Sequence, residues 1–127
     1  MMTMKNIMIA AAMLILLASC SDKHMSKNSD GSFTVNTTEL CREITGYNGP
    51  VPVLVTIKDD VIQDVEILKN DETPSYFEDV KQRMLPKFRG LAIDKAATVD
   101  AVSGATFSSK ALRKNVETAV SYYLENK

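Results

Sequence analysis

Apolar and polar residues alternate most regularly in the middle of the chain. From residue 51 onward every second position is apolar, at Val51, Val53, Val55 and Ile57. This spacing predicts a strand with one wholly apolar face, and Pro52 stands near its start, where a strand tolerates proline. Asp59 and Asp60 predict a tight hairpin turn, because aspartate tolerates left-handed geometry. A second strand follows over residues 61–68, and three of its residues are expected to share a face: Val61, Val65 and Ile67.

Weaker patterns flank this hairpin. Residues 37–45 predict an earlier strand, and residues 46–50 are dense in turn formers. Thr73 and Pro74 predict the start of a helix, with threonine as its N-cap and proline at its first position. Pro86 is expected to end this helix, whose apolar face would consist of Phe77, Val80 and Met84.

The remaining segments complete the predicted topology. Residues 87–95 form a mixed connector, and residues 97–102 predict a fourth short strand that leads into a last helix. The resulting order, β-β-β-α-β-α, indicates an α+β domain over residues 33–127. Such a domain would be a small curved antiparallel sheet with helices packed on one side.

A cluster of hydroxyl residues precedes the last helix. Apolar residues recur at helical spacing after Ala111, at Leu112, Val116, Ala119, Val120, Tyr123 and Leu124. The unpaired N–H groups at the start of a helix favour an anion, so Thr106, Ser108 and Ser109 predict a phosphate site. Gly104 would allow the backbone to turn with a positive φ. An ordinary loop with a Ser or Thr N-cap explains the same residues, and one hydroxyl could serve both purposes.

The pattern D-x-x-S-G-A-T at residues 100–106 resembles the flavin-attachment motif of the FMN-binding domain family. That family includes the covalent-flavin subunits of sodium-pumping NADH:quinone reductases and of Rnf-type complexes. The motif positions are filled without a gap by Asp100, Ser103, Gly104, Ala105 and Thr106. The resemblance extends upstream through residues 46–50, 51–68 and 72–74. It implies the same α+β fold and FMN held by a phosphoester to the hydroxyl of Thr106, formed by a separate FAD-dependent flavin transferase.

The resemblance also implies a set of residues near the flavin phosphate: Ser103, Gly104, Ala105, Ser108 and Ser109. Asp100 would orient Thr106 or help to hold a metal ion that the transferase needs, although a turn or cap role explains it equally. Lys110 could pair with the phosphate, but a solvated lysine on the helix surface is the simpler interpretation.

Three upstream residues match the family pattern and are expected near the flavin. Glu72 and Thr73 belong to a recurring signature, yet surface solvation explains the first and helix capping the second. Tyr47, in a turn flanked by glycines, could cover the isoalloxazine ring or could simply be buried in that turn.

The N-terminal segment predicts targeting rather than fold. Lys5 precedes an apolar run over residues 7–17 that is short for a membrane-spanning helix. The run ends in Leu-Ala-Ser-Cys, which resembles the lipobox of bacterial lipoproteins. We therefore expect a signal peptide over residues 1–19, lipidation of Cys20 and a flexible tether over residues 20–32. A plain secretory signal cleaved near Ala18 is the alternative.

Composition excludes several classes of function. The chain has 15 Lys and Arg residues against 16 Asp and Glu, for a net charge of −1, and no basic stripe that would indicate nucleic-acid binding. Cys41 and His24 are too few for a metal cluster, so no metal site is predicted. The sequence contains no Ser-His-Asp set and no dinucleotide fingerprint, so no catalytic residue is assigned.

These observations favour an electron carrier over a catalyst. We expect an extracytoplasmic flavoprotein, anchored by Cys20 to the lipid of a bacterial membrane. It would relay electrons between membrane-bound or soluble redox partners. Two alternatives remain open: a lipoprotein binding or interaction module that has lost the flavin, and a small-molecule reductase.

Overall fold

Four antiparallel strands form the sheet. The computed structural model describes residues 23–72 and 74–127. In this part of the chain the strands are β1 (Met25–Lys27), β2 (Phe33–Asn36), β3 (Val53–Lys58) and β4 (Val61–Ile67). They lie side by side in chain order, with antiparallel pairing throughout. Helices pack against the sheet, so the predicted α+β class is confirmed, but the order of elements differs in three places.

The first difference lies in the predicted tether. Residues 25–27 pair with β2, and Asn28 and Ser32 close the turn between the two strands through an N–H···O bond of 2.8 Å. The Asp30 carboxylate accepts from the Ser32 N–H at 3.0 Å. The polar composition of this segment therefore serves a hairpin turn, and the folded domain begins before residue 33. The predicted signal peptide and Cys20 lie outside the described residues.

The second difference concerns residues 37–45, which form successive turns instead of a strand. The Cys41 N–H donates to the Thr37 carbonyl at 2.8 Å, as in a helical turn. Thr37 is fully buried, and its hydroxyl accepts from the Val53 N–H at 2.9 Å and donates to Asn115 Oδ1 at 2.6 Å. These side-chain bonds compete with strand pairing, which residue patterning alone does not reveal.

The β3–β4 hairpin confirms the central prediction. Burial alternates strictly along β3, and Asp59 and Asp60 both have positive φ, 54° and 61°, as a type I′ turn requires. One expectation is wrong. A register shift between Thr56 and Ile57 makes Ile62, rather than Val61, the buried residue beside Val65. A bulge of this kind changes which residues face the core.

The first helix within the described residues, α1, spans Pro74–Phe88. The expected face of Phe77, Val80 and Met84 is buried, as predicted. Pro86 does not end the helix, which continues to the fully buried Phe88. Burial of this phenylalanine compensates for the hydrogen bond that proline removes from the last turn. Thr73, the predicted N-cap, lies outside the described residues.

The third difference concerns residues 97–102, where a strand was expected. A 3₁₀ helix spans Ile93–Thr98, and an extended segment follows it without strand pairing. The second helix, α2, spans Thr106–Asn126 and packs on the sheet beside α1. The apolar residues expected on its buried face are buried except for Leu124, which is 50% exposed, and the polar Asn115 is fully buried among them. Among the described residues, no helix is both long and apolar enough to cross a bilayer.

Candidate functional site

The segment that leads into α2 is held by hydrogen bonds at two buried residues, and its polar residues are exposed. Val99 and Val102 are buried, whereas Asp100 and Ser103 are exposed. Arg113 Nη1 donates to the Val99 carbonyl at 2.9 Å. The Val102 N–H donates to Ser109 Oγ, also at 2.9 Å. Hydrogen bonds to side chains of α2 therefore fix Val99 and Val102 and leave the polar residues of the motif at the surface.

A tight turn then brings the chain to the helix. The Ala105 N–H donates to the Val102 carbonyl at 3.0 Å, and Gly104, at the third position of this turn, has a φ of +88°. A type II turn needs a positive φ at this position, and glycine provides it without steric cost. A Cβ on Gly104 would meet no atom within 4 Å, so backbone conformation alone explains the glycine.

Thr106 is the first residue of α2, and its side chain is exposed. Ala105 occupies the N-cap position, and no side chain caps the helix there. The alternative interpretation of this segment, a Ser or Thr side chain as the N-cap, is therefore wrong. Because the first N–H groups of a helix have no intrahelical acceptor, an anion next to Thr106 would meet unpaired donors and the positive end of the helix dipole.

Ser108 and Ser109 are buried, and their hydroxyls bond inside the protein. Ser109 Oγ is the acceptor for Val102, as described above, and Ser108 Oγ donates to the carboxylate of Glu72. These serines hold the loop and the first turn of α2 in place. Neither hydroxyl is exposed beside Thr106, so the structure gives them a positioning role.

Glu72, which is predicted to lie near the flavin or to be solvated at the surface, is only 6% exposed. Its two carboxylate oxygens accept from the backbone N–H groups of Tyr47 at 2.8 Å and of Asn48 at 2.7 Å. The same carboxylate accepts from Ser108. Glu72 therefore links the turn at residues 46–49 to the first turn of α2, and surface solvation does not explain it.

Gly46 makes this close approach possible. A Cβ at position 46 would lie 2.5 Å from Glu72 Oε1 and 3.2 Å from the Ser108 Cα. Both distances are shorter than ordinary van der Waals contact. Only glycine allows the turn to pack directly against the carboxylate and the helix.

Two aromatic rings stand exposed beside this junction. Tyr47 is 71% exposed and Phe107 is 64% exposed, with ring centroids 6.3 Å apart and an angle of 34° between the ring planes. Tyr47 is thus not buried in its turn. Phe107 was not singled out from the sequence. Phe107 could have been identified as a site residue from two signals: it directly follows Thr106, and it lies outside the apolar stripe of α2.

The other predicted residues lie at or near the helix start. Asp100 is exposed, and Lys110 is exposed one turn beyond Thr106. Lys110 also lines a groove of about 420 Å³ together with Ile44, Thr45, Ala111, Arg113, Lys114 and Glu117. Of the basic residues in this groove, Lys110 lies nearest in the chain to the helix start, whereas Arg113 bonds to the Val99 carbonyl and pairs with Glu117.

The residues at this junction suit two kinds of chemical group. Its helix start and exposed hydroxyl suit a phosphate, and its adjacent exposed rings suit a flat aromatic group. No curated protein matches this chain in sequence. In a scan of protein families, residues 46–121 match the FMN-binding domain. The match covers more than half of the chain and includes Gly46, Glu72 and the entire segment from Asp100 to Thr106, so the protein belongs to the FMN-binding domain family.

Proposed function

We propose that this flavoprotein carries FMN covalently, through a phosphoester to Thr106, and relays electrons at an extracytoplasmic membrane surface. The observation that supports the attachment most strongly is the position of Thr106. It is exposed, it is the first residue of α2, and no side chain caps that helix. A phosphate esterified there would lie against the positive end of the helix dipole.

The attachment chemistry balances with FAD as the donor. The Thr106 hydroxyl oxygen forms a bond to the FMN phosphorus, the pyrophosphate bond of FAD breaks, and AMP leaves. The hydroxyl proton passes to a base of the flavin transferase or to solvent. This chain needs to supply only an accessible hydroxyl, a loop exposed to the transferase and a binding site for the phosphate. Asp100 and Ser103 are exposed in that loop, where a transferase could reach them.

The residues of the site fit FMN by their chemistry. The first-turn N–H groups and the turn at Ser103, Gly104 and Ala105 would hold the phosphate. The buried hydrogen bonds of Ser108, Ser109 and Glu72 would hold the loop and the first turn of α2 in place. When bound, the flavin supplies one- and two-electron redox chemistry, and the protein keeps it from dissociating.

Relay, rather than catalysis, is the role that this arrangement favours. Thr106 and its neighbours Gly104 and Phe107 are exposed, as electron exchange with a partner requires, and the sequence contains no dinucleotide fingerprint. We further propose that Cys20 is lipidated and anchors the domain to a bacterial membrane. Replacement of Cys20 by serine should then release the protein from the membrane fraction of its host. Unchanged fractionation would contradict the anchor.

In-gel fluorescence tests the attachment. Chains co-expressed with a flavin transferase should give a fluorescent band after denaturing electrophoresis, and Thr106→Ala should abolish it. Thr118→Ala is the matched control, because it removes a threonine hydroxyl from the same helix, away from the motif. Fluorescence that persists in Thr106→Ala would contradict the proposed site.

A further inference from the structure

Three large apolar side chains are conspicuously exposed in the described part of the chain, and two of them are neighbours. These are Tyr47 and Phe107, whereas the third, Leu124, lies near the far end of α2. Solvated aromatic rings that stand side by side indicate a surface that another group covers. Phe107 directly follows the exposed Thr106, so the natural candidate is a group attached to that threonine.

The backbone beneath both rings is fixed. The Tyr47 N–H donates to Glu72 Oε1 at 2.8 Å, and Phe107 lies in the first turn of α2, next to Ser108, which donates to the same carboxylate. One buried residue therefore holds both attachment points. Both rings are largely exposed, so the surrounding protein leaves their side chains room to rotate and to widen the gap between them.

The spacing of the rings suits a flat guest. Their centroids are 6.3 Å apart, toward the upper end of the range of roughly 4.5–7 Å for aromatic pairs in direct contact. A third ring stacked between two others needs about 7 Å between the outer planes, since each stacking contact is about 3.5 Å. The present angle of 34° is closer to parallel than to edge-on. The distance between the ring planes cannot exceed the 6.3 Å between the centroids, so the two exposed side chains must rotate apart by at least about 0.7 Å to admit a planar ring.

We propose that Tyr47 and Phe107 form an aromatic clip that holds the isoalloxazine ring of FMN between them. This inference rests on the proposed attachment at Thr106 and adds to it the residues that orient the ring. Phe107 follows Thr106 directly, so a ring joined to the attached phosphate by the ribityl chain is within reach of the clip. The clip covers the faces of the flavin and leaves its edge available to a redox partner.

The test compares flavin fluorescence in loaded proteins. The variants are Tyr47→Leu, Phe107→Leu, the double variant and Leu124→Ala, which removes the exposed apolar side chain outside the clip. Stacking against tyrosine quenches flavin emission. The double variant should therefore emit severalfold more per flavin than wild type and be quenched more readily by iodide, while Leu124→Ala matches wild type. Flavin content, measured by absorbance after denaturation, should be equal in all variants.

The outcomes separate this inference from the attachment itself. Equal flavin content with equal emission and iodide quenching in all variants would overturn the clip and leave the attachment intact. A wild type without covalent flavin after co-expression would overturn both proposals. If neither single variant nor the double variant accepts flavin although far-UV circular dichroism shows them folded, the rings serve the transfer reaction, and the clip is wrong.

Discussion

Replacement of Glu72 by alanine tests whether one buried carboxylate holds the site together. The change removes the acceptor for the N–H groups of Tyr47 and Asn48 and for the hydroxyl of Ser108. It also leaves a space where the side chain packed beneath Gly46. The turn at residues 46–49 would then lose its link to α2.

The expected loss of stability in Glu72→Ala follows from the surroundings of each hydrogen-bond donor. Tyr47 and Asn48 are exposed, so water can replace the carboxylate at their N–H groups once the turn detaches. Ser108 is only 6% exposed, and its hydroxyl is harder to rehydrate. With about 1 kcal/mol for each backbone donor and somewhat more for the serine, the free energy of unfolding should fall by about 3 kcal/mol. Glu72→Gln keeps the volume and one acceptor oxygen, so it should lose about half as much.

Urea unfolding at neutral pH, followed by circular dichroism, measures these losses as shifts of the midpoint at constant slope. Glu66→Ala is the control, since it removes an exposed glutamate from β4 and should change stability by less than about 0.5 kcal/mol. Amide hydrogen exchange adds a local measurement: the Tyr47 and Asn48 amides should be protected in wild type and unprotected in Glu72→Ala. If Glu72→Ala is as stable as Glu66→Ala, or if both amides exchange freely in wild type, the reasoning is refuted.

Three further predictions follow from single contacts. Gly46→Ala should destabilise the fold by about 1–3 kcal/mol in the same urea assay, because the alanine Cβ would overlap the Glu72 carboxylate. An unchanged free energy of unfolding would show that the turn has room to move. Hydrogen bonds, from the Tyr123 hydroxyl above all and then from Lys127, lower the pKa of Asp60 in the folded state. The stability they contribute is therefore present above the unfolded pKa and lost as the pH falls below about 4. Asp60→Asn should flatten this acid loss of stability in urea titrations at several pH values, whereas Asp59→Asn, which removes the same charge from the same turn, should retain it. Burial raises the pKa of the Cys41 thiol and makes it unreactive in the folded domain. In a Cys20→Ser chain, iodoacetamide should therefore label Cys41 only after urea unfolds the domain. Rapid labelling of the native chain would contradict the burial of Cys41.

Local patterns predicted those parts of the fold that depend on local physics. Strict alternation placed β3, and two aspartates with positive φ made the turn that follows it. Helical spacing identified the buried faces of α1 and most of α2. In each case a short window of sequence shows which side chains must be buried, and that is enough to predict the element.

Patterns failed where distant residues decide the structure. Residues 37–45 have strand-like composition, but the Thr37 side chain bonds to Val53 and Asn115, and local backbone bonds from Cys41 and Ile44 close the turns that follow. Strand β1 has only three residues, too short for any periodicity to show. Its place in the sheet depends on pairing with β2.

The candidate site shows the same division. The motif at residues 100–106 was visible as a turn and a helix start, because both are local. The role of Glu72 was not, since its partners lie 24 to 36 residues away in the chain and a lone glutamate resembles any surface residue. Phe107 was missed for a related reason, because the sequence does not show that its ring lies beside that of Tyr47.

Mass spectrometry of the protein co-expressed with a flavin transferase tests the central claim most directly. The intact chain should gain the mass of one FMN less one water, and fragmentation should place that mass on Thr106. The same analysis of Thr106→Ala should show no added mass. An unmodified wild-type chain, or flavin found on any other residue, would contradict the account.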